Sequence, residues 1–330
     1  MQPTIARRLG TLLLAGIGLA APPAAASQPF VFVTNWFAQA EHGGFYQALA
    51  HGLYERHGLD VTITMGGPQV NVIQLMAAGQ ADCVMGTSDI QTMQTRAGGV
   101  PVVTVAAFFQ KDPTVLIAHD DIRTIADLKD HRILISTGAR RSYWPWLKRK
   151  FGFVDAQAGA YTFSYQPFIA DPAIAQQGYI TNDPPILQKL GLRTSMFLLS
   201  DLGFPAYANT VSCMEQTLRD HRARVSAFLR ASAEGWKSYL ADDPAPADAL
   251  IERDNPRMTD AQIAYARDTM KRTAMVTGGD AATGGIGVIS ASREQESYDF
   301  LVSEHLLDPA RVAARETFDS SLIEQDRVLP

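Results

Sequence analysis

Cysteine is scarce in this chain: Cys83 and Cys213 are the only two among 330 residues. Two cannot make a disulfide-built scaffold. Metal-ligand spacing is missing as well. The seven histidines (His42, His51, His57, His119, His131, His221, His305) contain no H-x-x-H or H-x-x-x-H pair, and neither cysteine has a ligand neighbour. Lysine and arginine never gather into a stripe, which argues against a nucleic-acid surface. The one basic cluster, Arg140-Arg141 with Lys148-Arg149-Lys150, reads as a solvated helix face. There is no G-x-S-x-G elbow and no pair of carboxylates at recognisable catalytic spacing, so nothing marks an enzyme. The glycines from Gly278 to Gly287 lack the strand, helix and Lys-Ser/Thr of a phosphate loop. They read as a surface loop, and no cofactor is called for.

Long hydrophobic runs are absent too. The longest, Leu9 to Ala21, has about 13 residues against the ~20 needed to span a bilayer. It follows Arg7-Arg8 and precedes Ala24-Ala25-Ala26, an n-region, h-region and A-x-A cleavage site. Residues 1–26 are therefore expected to be a signal peptide, with a mature chain beginning near Ser27 outside the cytoplasm. No cysteine follows the h-region, so a lipoprotein anchor is not expected.

What remains is ordinary for a soluble globular protein: 46% hydrophobic, 19% charged, net charge -5. About 300 mature residues exceed what one core usually supports, so two lobes are expected. Short β-branched runs alternate with helical patterns, the mark of an α/β fold with parallel strands. Strands are expected at 30–34, 61–65, 81–86, 102–108 and 114–119, with helices at 44–57, 70–78 and 88–97. A second lobe repeats the plan, with strands at 132–136, 161–165 and 178–181 and a helix at 142–151. Tyr207 to Met214 reads as a strand returning to the first lobe. Beyond Asp220 the pattern is helical, with Val225, Phe228, Leu229, Trp236, Tyr239 and Leu240 on one face. The chain thus crosses between lobes twice, near 117–122 and 201–209. The expected division is 27–118 and 205–330 in lobe 1, and 119–204 in lobe 2. Two doubly wound lobes joined by two hinge strands enclose a cleft that can close on a small molecule.

Several segments carry a family likeness. Asn35-Trp36, His42-Gly43-Gly44-Phe45-Tyr46, Gly52-Leu53-Tyr54 and Gly58-Leu59-Asp60-Val61 resemble periplasmic solute-binding proteins of ABC importers. So do Gly79-Gln80-Ala81-Asp82, Gly99-Val100-Pro101-Val102-Val103 and Ile125-Ala126-Asp127-Leu128-Lys129. More narrowly the chain resembles the no-message-in-thiamine group, which binds thiamine pyrimidine precursors; taurine, sulfonate and nitrate binders are cousins. The resemblance implies a type II periplasmic-binding-protein fold, a pyrimidine-like or other aromatic ligand, and a permease partner in the inner membrane. A monomeric periplasmic receptor fits that role. An aliphatic sulfonate, taurine or nitrate-like anion is the alternative ligand, kept open by Arg140 and Arg141. A secreted enzyme and a solute-presenting sensor are further alternatives. Eukaryotic relatives that make the pyrimidine carry a Cys-rich motif; here only Cys213 stands in the corresponding region. The resemblance also sets Cys83 and Cys213 on neighbouring strands, as a disulfide or as two buried thiols.

In open α/β sheets ligands lie beyond the carboxyl ends of the strands. That rule nominates Asn35, Trp36 and His42 after the first strand. Trp36 offers a stacking face for a heterocycle, or anchors the next helix; His42 bonds a ligand heteroatom, or caps the turn. Gln69 follows the second strand. Thr87, Ser88 and Asp89 follow the third, at a helix N-terminus that suits a polar group or merely needs a cap. Thr137, Tyr143 and Trp144 come from the second lobe, and the two aromatics are placed to sandwich a ring over Trp36 or to pack beneath their helix. Asp183 stands where the family places an acidic residue, able to pair with ring N–H donors. Tyr207 on the second crossing completes the set.

Overall fold

A computed structural model describes residues 27–67, 69–325 and 327–330; the expected signal peptide lies outside them. Among the described residues, ten strands form two five-stranded sheets. The first is ordered β2-β1-β3-β10-β4 and the second β7-β6-β8-β5-β9. Sheet one comprises β1 (Gln28–Val33), β2 (Leu59–Thr64), β3 (Cys83–Ser88), β4 (Val102–Phe109) and β10 (Ala208–Met214). Sheet two comprises β5 (Thr114–His119), β6 (Arg132–Ile135), β7 (Ala158–Ala160), β8 (Ile174–Tyr179) and β9 (Thr194–Leu198).

Strand β1 shows why its residues suit the position. Phe30 and Phe32 point into one apolar cluster with Phe228, while Val31 and Val33 face another with Val72 and Met76. A strand covered on both faces reads as a continuous apolar run. Around sheet one lie α1 (Gly43–Ala50), α2 (Leu53–Arg56), α3 (Val72–Ala77) and α4 (Asp89–Ala97). The single helix expected at 44–57 is broken because Gly52 takes a left-handed φ of 62°, which glycine adopts without steric cost. The second half carries α5 (Tyr143–Phe151), α6 (Gln166–Ala170) and α7 (Asp183–Lys189). The C-terminal part is helical as expected: α8 (Glu215–Ala241), α9 (Ala245–Asp254), α10 (Asp260–Arg272), α11 (Ala281–Gly284), α12 (Ala291–Ser303) and α13 (Ser321–Glu324). None of the described helices is long and apolar enough to cross a membrane.

Four expectations need correction. The sheets are mixed rather than parallel, because β10 runs against both β3 and β4, and β5 against both β8 and β9. Strand β5 therefore belongs to the second sheet, and the first crossing lies at residues 110–113 instead of 117–122. The 161–165 segment is a loop, not a strand; the short edge strand stops at Ala160. Finally, α12 does not stay with sheet one. Its Tyr298, Phe300 and Leu301 share a buried cluster with Ile90 and Met93 of α4 and with Tyr143, Trp146 and Phe204 of the second half.

The expected return of the chain is as read. Strand β10 inserts between β3 and β4, with Cys213 directly opposite Cys83. The two form a disulfide, so the alternative of two free thiols is set aside.

Candidate functional site

The carboxyl end of β3 and the first turns of α4 face the carboxyl ends of β6 and β8 across a cleft of about 620 Å³. One wall carries Thr87, Ser88, Gln91 and Gln94; the other carries Ser136, Ser142, Tyr143, Gln177 and Tyr179. Asp112 of the first crossing sits between them, and Arg141 lies on the lining.

Outside this lining, two rings meet between the halves. Trp36, after β1, stacks on Phe163 of the second half with centroids 5.9 Å apart and planes 26° apart. Phe163 is 64% exposed and holds a φ of 58°, a conformation a bulky side chain rarely adopts. Its other ring neighbour is Tyr161, at 5.0 Å. Phe163 therefore packs on Trp36 and Tyr161 while keeping much of its ring exposed. This is the aromatic partner expected from Tyr143 and Trp144. Trp144 is buried and donates from Nε1 to Asp155 at 2.9 Å, so it serves the second-half core. Tyr143 does reach the cleft, its hydroxyl bonding Gln177 Oε1 at 3.0 Å. Successive helical residues point about 100° apart, so both could not face the same space.

Glu41, in the 3-10 turn Ala40–His42 ahead of α1, is the main residue the sequence reading missed. It is 3% exposed and accepts from the Thr181 hydroxyl, which follows β8, while its carbonyl accepts from Asn209 Nδ2 at 2.8 Å. Burial raises its carboxyl above the ordinary range, with Asp183 adding to the rise. Asp183 is 4% exposed and holds the β8–α7 turn: Tyr165 donates to it at 2.6 Å and the Tyr179 N–H at 2.7 Å. Burial raises Asp183 and Asp112 likewise. The tyrosines report the same field. Burial pushes Tyr161 up to about 12, and Asp183 adds to it. Tyr143 and Tyr179 are raised by burial first, and then by Asp112 and neighbouring tyrosines. The cleft lining sets the buried Asp112 among Ser, Thr, Gln and Tyr groups that can both donate and accept.

The other expected residues divide. Asn35 and Thr87 come together, Nδ2 to Oγ1 at 3.5 Å. Ser88 lines the cleft and caps α4 through Gln91 N at 3.4 Å. Gln69 and Thr137 are exposed and stand outside the cleft lining. Asp89 is fully buried and interacts with Arg293 and Glu294 of α12, away from the cleft lining. Tyr207 also faces away: its hydroxyl bonds Asp280 and accepts from the Ser290 N–H at 2.9 Å. Both were drawn off by partners some 70 to 200 residues distant in sequence, which no local pattern announces.

His42 has no exposure, and neither ring nitrogen has a hydrogen-bond partner. It does not cap α1. Burial lowers it from 6.5 to about 3, so it is neutral at neutral pH. The unfolded chain then takes up a proton near 6.5 that the folded chain refuses. Stability is retained above that value and lost as pH falls toward about 3. Between pH 7 and pH 5 the loss from this group is about 2 kcal/mol. Urea unfolding at both values, compared between wild type and His42→Leu, should show a difference of that size; equal pH responses would refute it.

Among the described residues no group of three or more His, Cys, Asp or Glu side chains is placed to hold a metal.

The NMT1/THI5-like family profile matches residues 39–247. The chain belongs to that family. Similar curated proteins include a riboflavin-binding protein, RibY, of Chloroflexus aurantiacus. It is 24% identical over 245 residues, covering 70% of this chain and 69% of that one. A formylaminopyrimidine-binding protein of Halalkalibacterium halodurans is 25% identical over 223 residues, covering 64% and 66%. Among solved structures, the periplasmic aliphatic sulphonate-binding protein SsuA of Escherichia coli superposes with a TM-score of 0.66 at 15% identity, covering 88% of this chain and 92% of that one. The NMT1/THI5-like chain has the periplasmic-binding-protein fold, which the two sheets and two crossings already describe.

Proposed function

We propose that this NMT1/THI5-like protein is the substrate-binding component of an ABC import system. It captures a planar, donor-bearing heterocycle of the pyrimidine type between its halves and delivers it to a membrane permease. On this reading it works as a monomer outside the cytoplasm, with residues 1–26 as its export signal. The observation that carries the proposal is the Trp36–Phe163 pair. Its rings stand 5.9 Å apart, and a flat ring between them needs about 7 Å, two van der Waals separations. A parting of about 1 Å between them would admit it. Glu41 and the tyrosine hydroxyls then accept its N–H groups. The relatives named for riboflavin and formylaminopyrimidine support this class. Arg141 favours the sulfonate alternative, but it is exposed and the buried carboxyls oppose an anion.

Calorimetry with formylaminopyrimidine, riboflavin and MOPS separates these readings. A heterocycle is expected to bind. Trp36→Ala and Glu41→Gln should each weaken it roughly 10-fold or more, the worth of a ring stack or a charge-assisted hydrogen bond. Binding of MOPS alone, or unchanged affinity in both variants, would overturn the proposal.

A further inference from the structure

Two glutamines of the cleft lining, one on each half, are held in the same way. Gln177 of β8 accepts at Oε1 from the Ser136 N–H at 2.5 Å and from the Tyr143 hydroxyl at 3.0 Å. Gln91, in the first turn of α4, accepts at Oε1 from the Thr87 N–H at 3.0 Å. Both backbone donors stand at strand ends, Ser136 just beyond β6 and Thr87 next to last in β3. A backbone N–H can only donate, so the atom that meets it is the amide oxygen, and the amide nitrogen turns the other way. Among the described residues neither Nε2 has a protein partner, and neither is shut away from solvent. Gln94 of the same lining is the contrast: its Nε2 is engaged, donating to the Arg141 carbonyl at 2.7 Å.

Each half therefore brings a fixed amide donor to the cleft. Water satisfies such a donor while the cleft is open, but a ligand that expels the water must replace that bond. A ligand without acceptors is penalised there, and one with carbonyl oxygens or ring nitrogens is not. The donors themselves are neutral. The charged side chains of the lining are Asp112 and Arg141, of opposite sign. Asp112 is buried, held by the Thr114 N–H at 2.8 Å and by the Thr114 hydroxyl, and faces the charge of Arg293. The Arg141 side chain is exposed. With no excess of positive charge, the lining suits a neutral acceptor better than an anion. Because one amide belongs to each half, a ligand that satisfies both binds the closed form more tightly than the open one, and that difference is what drives closure.

We infer that Gln91 and Gln177 are specificity-determining donors, and that the ligand offers neutral acceptors, carbonyl oxygens or ring nitrogens, to both at once. This rests on the cleft holding a heterocycle as proposed above. Each glutamine is replaced in turn by Glu, which keeps an oxygen for the backbone N–H but lacks the amide hydrogens, and by Met, which lacks them without adding charge. The probes are formylaminopyrimidine and riboflavin, both of which carry a carbonyl oxygen and ring nitrogens. Calorimetry on the full chain should show the affinity falling roughly 10-fold or more in all four variants, Gln91→Glu, Gln91→Met, Gln177→Glu and Gln177→Met. A loss confined to the two Glu variants would be an effect of charge and overturns the donor assignment. A loss at one position only overturns the grip from both walls. The two failures are distinguishable: if neither probe binds the wild type, the heterocycle reading falls and this assignment with it, whereas binding that both Met variants leave unchanged overturns the assignment alone.

Discussion

Gly235→Ala is expected to cost the protein about 3 kcal/mol or more and to weaken ligand binding with it. Helices α1 and α8 approach so closely that a Cβ at Gly235 would lie 2.2 Å from the Gly44 carbonyl oxygen and 2.8 Å from Ala48 Cβ. The facing glycines are as tightly held: a Cβ at Gly44 would lie 2.1 Å from Trp236, and one at Gly43 2.0 Å from Tyr239. Neither a backbone carbonyl nor a fully buried indole has room to yield, so the helices must part. Overpacking of this kind costs about 1–3 kcal/mol where a core can adjust, and more where it cannot. The same displacement reaches the site, because α1 begins one residue after His42 and two after Glu41. Gly79→Ala is the matching control. Its φ of 71° penalises alanine, but no atom stands within 4 Å, so about 1 kcal/mol is expected. Urea unfolding of both variants decides; a Gly235→Ala protein as stable as Gly79→Ala would show that the helix contact is not rigid.

Much of this architecture was legible because hydrophobic periodicity encodes it. The strands around Phe30, Val61, Cys83 and Val102, the Ser88 cap and the apolar face of α8 all follow from local pattern. The lapses have a common physical origin. Thr114–His119 reads as a strand either way, but only its pairing with β8 and β9 tells which sheet owns it. At the site, residues that follow strand ends stay where local pattern puts them when their partner is local, as Ser88 does in capping α4 through the Gln91 N–H. They were misplaced when a distant charge captured them, as Arg293 captures Tyr207 and as Arg293 and Glu294 act on Asp89. Glu41 was passed over because an acidic residue in the polar run Gln39-Ala40-Glu41-His42 resembles a solvated turn. Its burial depends on Thr181, 140 residues away. Phe163 was hidden by the apparent alternation of Tyr161, Phe163 and Tyr165, which suits an edge strand as well as an aromatic loop.

Removing the disulfide, by Cys83→Ala with Cys213→Ala, should lower stability by about 2–5 kcal/mol. The argument is topological. The bond joins residues 130 apart, and the loop it closes contains β4, the entire second sheet and both crossings. In the unfolded chain that closure removes the configurations of a very long segment, and the entropy involved grows with the logarithm of loop length. In the folded chain the cysteines already face each other as a registered pair of β3 and β10, 4.4 Å apart at Cα, and both are fully buried. Alanine at both sites leaves each strand paired, so the loss falls mainly on the unfolded-state constraint and a small cavity. The prediction separates stability from binding. Glu41, Trp36 and Asp183 make no hydrogen bond of their own with either cysteine, so ligand affinity of the folded double variant should stay within a few-fold of wild type. Urea unfolding paired with calorimetry on the same preparations tests both parts. A double variant with wild-type stability would mean that the β3–β10 pairing, rather than the covalent bond, holds the second half in place.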